Sequence, residues 1–112
     1  MRRIITLLAL LFVLVPARSQ NSNPSGNAQI YNGQQAVTGT AAALASQPLK
    51  TFCIKALHAN TIAVYVGNSS VSTANGMELQ ADQSWCANID NANRVYVVAT
   101  TTGASVSWIG TN

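Results

Sequence analysis

The chain has 112 residues, and its formal net charge of +3 comes from six Lys and Arg against three Asp and Glu. Arg2, Arg3 and Arg18 lie at the amino terminus, so the remainder balances Lys50, Lys55 and Arg94 against the three acidic residues. Binding to nucleic-acid phosphates depends on a clustered excess of Lys and Arg. The charge distribution therefore excludes nucleic acid as a partner.

Residues 1 to 19 have the pattern of a secretory signal peptide. A basic start is followed by an apolar run over residues 4 to 15, and Ala17 and Ser19 are small where signal peptidase reads the chain. We predict cleavage between Ser19 and Gln20, and hence a secreted or periplasmic protein. The alternative is a retained anchor, but the apolar run of about twelve residues is shorter than the roughly twenty that span a bilayer. We expect no stable membrane span after cleavage.

Residues 20 to 35 are rich in Asn, Ser, Gln, Gly and Pro, and only Ile30 and Tyr31 offer large apolar side chains. This apolar surface is too small to offset the entropy of ordering the segment. We predict a flexible leader here, followed by a single β-sandwich domain over residues 36 to 112.

The clearest strand pattern lies at residues 61 to 67, between turn residues on both sides. Ile62, Val64 and Val66 would share one face of this strand, and Tyr65 would lie on the other. We interpret the segment as a strand that is buried on at least one face.

Similar runs, separated by turn residues, continue along the chain. They are predicted at residues 36 to 44, 49 to 57, 77 to 79, 84 to 89, 94 to 100 and 104 to 109. The run at 94 to 100 is apolar on both faces, which indicates a strand inside a sheet. Helical periodicity is lacking in these segments. The pattern predicts an all-β fold, a small antiparallel β-sandwich or jelly-roll-like barrel of about six to eight short strands.

Cys53 and Cys86 are the two cysteines of a chain addressed to an oxidising compartment, so we predict one disulfide between them. The alternative is two free thiols. Cys53 is opposite in parity to Phe52 and Ile54, and Cys86 is opposite to Trp85. Both sulfurs should therefore point away from the core, and their strands should be neighbours in space.

Core and turn residues in several segments form a common pattern. These segments are Ile54-Lys55-Ala56-Leu57, residues 61 to 68, Asn75-Gly76 with Leu79, and Asp90-Asn91 with Asn93-Arg94-Val95-Tyr96-Val97. Over residues 37 to 110 the pattern resembles small β-sandwich modules encoded in tailed-phage genomes and found in bacterial proteins of unknown role. The resemblance implies a fold above all. It also implies a virion fibre, decoration or tail-associated part that packs against copies of itself or a capsid.

Catalysis needs reactive side chains that converge, and the chain carries one histidine, His58, and the carboxylates Glu78, Asp82 and Asp90. The carboxylates all fall in or beside predicted turns, and no nucleophile-elbow pattern is present. His58 has no partner at a metal-ligand spacing, so we interpret it as a surface turn residue. We predict a protein that is not an enzyme and that has no metal and no cofactor.

Aromatic side chains are the remaining binding signal. We interpret Trp85 and Trp108 as core residues, with an exposed binding role as the alternative. Tyr65 and Tyr96 are opposite in parity to the buried valines of their strands. If these strands are adjacent, the two tyrosines should form an exposed patch on the face that carries the disulfide.

Two hypotheses of function follow from these patterns. The first is a secreted, non-enzymatic structural or self-assembling interaction module whose partner is a second copy of itself or another surface. The alternative is a small glycan-binding or cell-surface recognition domain that uses Tyr65, Tyr96 and the polar loop at residues 68 to 76, with Asn68 and Asn75 as ligand residues.

Overall fold

The computed structural model describes residues 28 to 112, and in this part of the chain eight strands form two four-stranded antiparallel sheets. The predicted signal peptide and residues 20 to 27 of the predicted leader lie outside the described residues. The strands are β1 (Ile30–Val37), β2 (Ala42–Ala43), β3 (Thr51–Ala56), β4 (Val64–Gly67), β5 (Met77–Leu79), β6 (Ser84–Ala87), β7 (Tyr96–Val98) and β8 (Ala104–Thr111).

The strand order is β1-β8-β3-β6 in the first sheet and β2-β7-β4-β5 in the second. This arrangement confirms the predicted all-β fold. The apolar run predicted inside a sheet forms β7, which has β2 and β4 as neighbours. One 3-10 turn, Ala92–Arg94, precedes β7. No helix among residues 28 to 112 has the length and apolarity needed to cross a membrane.

Alternate side chains of both sheets fill the core between them. Phe52, Ile54 and Ala56 of β3 are at most 1% exposed, and Val64 and Val66 of β4 are also buried. The period of two in the sequence therefore identified the inner face of both strands. Burial of these apolar side chains supplies most of the favourable free energy of folding.

The two tryptophans pack on opposite sides of Phe52. Trp108 is buried and its ring stacks on that of Phe52 with centroids 6.3 Å apart, whereas Trp85 meets the same ring edge-on at 6.4 Å. Trp108 is thus a core residue, as predicted. Trp85 is only half-buried, because its strand β6 lies at the edge of the first sheet.

The segment at residues 30 to 35 is a strand, so the prediction of a flexible leader was wrong there. Each residue of β1 is in register with β8, from Ile30 opposite Thr111 to Val37 opposite Ala104. The composition of the segment indicates only how much apolar surface its own side chains can bury. In the structure the segment is ordered by backbone hydrogen bonds to β8, which comes much later in the chain.

Cys53 and Cys86 form a disulfide, which confirms the predicted pairing. They lie directly opposite each other in β3 and β6, with their Cα atoms 4.0 Å apart. The Ala56 amide donates to the Gln83 carbonyl oxygen at 3.0 Å, so the hydrogen-bonded pairs between β3 and β6 fall at even residues of β3. The cysteines therefore occupy a non-hydrogen-bonded pair, where facing Cα atoms are closest. As predicted, they lie on the outer face of their sheet.

Replacing both cysteines by alanine should lower the free energy of unfolding by about 3 to 4 kcal/mol, because the bridge closes a loop between residues 33 apart in sequence. Urea denaturation measures this loss. Unfolding of the wild-type protein in reductant should match that of the double variant, which should itself be insensitive to reductant. A wild-type midpoint that is unchanged by full reduction would contradict the prediction.

Gly110 lies where β8 crosses the start of β3. A Cβ atom at this position would overlap the Thr51 carbonyl oxygen and would come within 2.9 Å of Leu49 Cδ1. We expect Gly110→Ala to cost about 1 to 3 kcal/mol of stability through overpacking. Gly39→Ala is the matched control, because the nearest atom to its Cβ is 3.6 Å away. Equal urea midpoints for the two variants would refute this account.

Candidate functional site

Tyr65 and Tyr96 lie on adjacent strands, β4 and β7, of the second sheet. Tyr65 is opposite Val98 and Tyr96 is opposite Gly67, so the tyrosines are offset by two residues on the outer face. Both are half-buried. The disulfide lies on the outer face of the first sheet. The expectation that tyrosines and disulfide share a face was therefore wrong, since parity specifies a side of a strand but not the sheet that contains it.

A groove of about 450 Å³ opens between the edge strands β5 and β6, and we call it the β5–β6 groove. Its apolar wall is formed by Val66, Met77, Trp85, Ile89 and Val95, and its polar rim by Asn68, Asn75 and Arg94. Met77 is well exposed, and Trp85 and Ile89 are half-buried although they pack against the core. The groove is a part of the core that the short edge strands leave accessible.

The two sides of the sandwich differ in how they are closed. On one side, the Gln35 side chain of β1 donates from Nε2 to the Ala43 carbonyl oxygen of β2 at 3.1 Å, which connects the sheets. On the other side, β5 and β6 have three and four residues. Met77 and Trp85 from these strands face the same open space. Strand length thus explains why an apolar groove lies on this side.

A second, polar depression of about 750 Å³ adjoins the β5–β6 groove. It shares Asn68 and Arg94 with the groove and adds Asn93 and Tyr96. The structure thus brings two of the residues predicted from sequence, Asn68 and Tyr96, to one surface. Tyr65 lines neither cavity.

Asn68 and Asn75 have different roles in the loop between β4 and β5. Asn75 accepts from the Ser72 amide at 2.8 Å and donates to the Ser70 carbonyl oxygen at 3.3 Å, so both ends of its side chain hold the loop. Asn68 accepts from the Ser70 amide at 2.9 Å through Oδ1. Within residues 28 to 112 its Nδ2 has no hydrogen-bond acceptor and is available to a ligand.

An ion pair neutralises the charge at the rim of the groove. Arg94 donates through Nε and Nη2 to the carboxylate of Asp90, the second bond being 3.1 Å long. This hydrogen bonding lowers the pKa of Asp90 and raises that of Arg94. Asn91 between them accepts from the Gln47 and Asn93 amides at 3.0 Å, which fixes the 3-10 turn. The rim therefore offers hydrogen-bonding groups without a net charge.

Titratable groups gather at a different surface, around Asp82. Lys55 Nζ lies 3.3 Å from its carboxylate, and His58 Nδ1 lies 2.5 Å from it. The His58 side chain is 88% exposed and lies in a turn, as predicted. Among the described residues no group of three or more His, Cys, Asp or Glu side chains converges on a common point. This cluster is a solvated ion-pair network.

Comparisons with known proteins establish no family. No model of a known protein family matches the chain, and no curated protein matches it. One matching solved structure is described as "Bacillus endospore appendages form a novel family of disulfide-linked pili". The identity is 14%, the match covers 77% of this chain and 91% of that chain, and the TM-score is 0.34. This likeness is too low to assign a function, and the resemblance to phage virion modules is not confirmed.

We expect Asp82→Asn to alter the acid dependence of stability. Hydrogen bonds, first from His58 and then from Lys55, lower the pKa of Asp82 below its ordinary value of 3.8. A carboxylate with a depressed folded pKa stabilises the protein above its unfolded pKa, and this contribution is lost as the pH falls through the folded value. The difference in Tm between wild type and variant should shrink below about pH 4. In a protein that already carries His58→Ala, the further change Asp82→Asn should lower the Tm by less than it does in the wild type. A difference in Tm between wild type and Asp82→Asn that stays constant down to pH 2 would contradict the assignment.

Proposed function

We propose that the protein is a non-enzymatic structural module that associates with a second copy of itself through the free edge of β1. The observation that carries this proposal is the composition of that edge. Among the edge strands of residues 28 to 112, β1 has eight residues, whereas β2, β5 and β6 have two to four. It contains no charged residue and no proline. Natural proteins usually protect a long edge strand with such residues.

The register identifies the backbone groups at this edge. The Asn112 amide donates to the Gln29 carbonyl oxygen at 3.3 Å, and these residues are in register with the β1–β8 ladder. Hydrogen-bonded pairs therefore fall at odd residues of β1. Even residues of the strand, including Asn32 and Gln34, direct their amide and carbonyl groups away from β8. Within the described part of the chain no other strand pairs with them.

The pairing of β8 with β3 supports the same register. The Leu57 amide donates to the Ser105 carbonyl oxygen at 3.1 Å, so odd residues of β8 form the hydrogen bonds to β3. Even residues of β8 are left for β1, in agreement with the bond at Gln29. Two copies of β1 that meet antiparallel across a twofold axis would join two four-stranded sheets into one.

Surface properties around β1 favour association. Ile30 is 68% exposed at the start of the strand, so a second copy could cover apolar surface there. Lys50, Lys55 and Arg94 balance the three acidic residues in the described part of the chain, so long-range charge repulsion is weak. Contacts between copies would therefore meet little electrostatic opposition.

The disulfide bears on both location and assembly. Because Cys53 and Cys86 bond to each other, association of copies is non-covalent. An internal disulfide is stable in an oxidising compartment, which supports a secreted or periplasmic location for the protein. We thus assign the bridge to the stability of each copy and the β1 edge to contact between copies.

Gln34→Pro tests the proposal. The backbone amide of Gln34 faces the open edge of β1, so its loss removes no bond to β8. We expect wild-type protein to be a dimer by light scattering at micromolar concentration and the variant to be a folded monomer. Gln35→Pro is the control for folding, since it deletes an amide that donates to β8, together with the side-chain bond to Ala43, and should lower the Tm.

Ile109→Lys separates edge pairing from packing of sheet faces. It adds a charge to the outer face at a central strand, so a dimer joined through β1 edges should persist in this variant. A wild-type monomer at all concentrations would overturn the proposal. So would a dimer that Ile109→Lys dissociates and Gln34→Pro leaves intact.

A further inference from the structure

We propose that the β5–β6 groove is a binding site for a neutral carbohydrate, a function separate from self-association. The groove combines an aromatic wall at Trp85 with an amide donor at Asn68 and an ion-paired guanidinium at Arg94. Its volume of about 450 Å³ lies within the roughly 300 to 1,000 Å³ that small-molecule sites occupy.

Trp85 provides a rigid apolar surface. Phe52, which is 1% exposed, meets the indole ring edge-on at an interplanar angle of 69°. This contact holds Trp85 from the side of the core, while the rest of the ring lines the groove and remains partly accessible. The C–H face of a sugar ring packs on such an aromatic surface, and a fixed ring loses little entropy when the ligand binds.

Polar residues beside Trp85 suit the hydroxyl groups of a sugar. Asn68 lines the groove and the adjoining depression, and Asn93 and Tyr96 line that depression. Within residues 28 to 112, Nδ2 of Asn68, the side-chain amide of Asn93 and the hydroxyl of Tyr96 have no hydrogen-bond partner in the chain. Amides both donate and accept, as vicinal hydroxyl groups do. A ligand that extends from the groove into the depression would meet all of them.

Charge at the rim favours a neutral ligand. Arg94 is the cation that lines both cavities, and two of its nitrogens already donate to Asp90. An acidic ligand would compete with this carboxylate for the guanidinium and would meet its negative charge. A neutral hydroxyl group can accept from Arg94 without breaking the pair.

A peptide is a poorer match to the same groove. An extended peptide binds by adding a strand to a sheet edge, and its affinity comes from main-chain hydrogen bonds. The edges here belong to β5 and β6, which have three and four residues. Such short strands offer few bonds to an added strand.

The groove remains accessible in the proposed dimer. β1 and β6 are the opposite edges of the first sheet, so pairing through β1 leaves β6 free. A dimer would carry two sites, and a ligand with repeated units would bind both with increased avidity.

The test is a titration of the full chain with a panel of soluble neutral oligosaccharides: β-1,4-glucans, chitin oligomers, mannans and galactans. Tryptophan fluorescence gives the affinity, and amide chemical shifts locate the site. We expect saturable binding by at least one class, with shifts centred on Trp85, Asn68 and Arg94. Trp85→Ala should weaken binding by about tenfold or more. Light scattering of the same samples reports association separately.

Two further variants keep the result interpretable if Trp85→Ala unfolds. Asn68→Asp retains the oxygen that accepts from the Ser70 amide and removes the Nδ2 donor, so it should fold and bind more weakly. Tyr65→Ala lies on the outer face of the second sheet, away from the groove, and should bind as wild type does.

Several results would overturn the carbohydrate site. One is the lack of a saturable chemical-shift change at the groove with every oligosaccharide of the panel. Another is an affinity that Asn68→Asp and Trp85→Ala leave unchanged. A third is binding of acidic saccharides alone, with a steep dependence on salt. Preference for a short peptide over every sugar would also reject it. None of these results depends on whether the protein is a dimer.

Discussion

The structure depends above all on the pairing of β8 with β1 on one side and β3 on the other. β1 and β3 lie in the first third of the described residues and β8 lies at their end, so the first sheet cannot form until distant segments meet. In this register the backbone groups of odd residues in β8 bond to β3, and those of even residues bond to β1. Its inward side chains, Val106 and Trp108, then contribute to the core. Pairing and burial therefore reinforce each other along one strand.

This arrangement also explains why the two sides of the sandwich differ. The long strand β1 can pair because β8 matches its full length, and its outer edge is left as a template of eight residues. On the other side, β5 and β6 are too short to cover the core, and the half-buried ring of Trp85 lines a groove. One side of the fold thus exposes backbone groups, where we propose contact with a second copy, and the other exposes an aromatic surface, where we propose a ligand site.

Electrostatics has a secondary role in this molecule. Asp90 with Arg94, and Asp82 with Lys55 and His58, are exposed pairs whose contribution to stability is modest. The pair at the groove also leaves the rim of the proposed ligand site without a net charge. A surface with hydrogen-bonding groups, an aromatic ring and no net charge discriminates by shape and hydrogen bonding rather than by long-range attraction.

The sequence alone correctly predicts the all-β class, the approximate strand positions, the inner face of β3 and β4, and the cysteine pairing. The fold class, the strand positions and the inner faces follow from local parity and turn chemistry, which adjacent residues encode. The cysteine pairing follows because the chain has two cysteines and is addressed to an oxidising compartment. The sequence misassigned residues 30 to 35, because β1 is ordered by a partner more than sixty residues away. The sequence also placed Tyr65 and Tyr96 on the face of the disulfide. It did not show that Trp85, which packs against the core, remains half-buried at an edge strand. Only tertiary structure decides which strands share a sheet and which edge leaves a side chain accessible, because these properties depend on the order of strands rather than on any one of them.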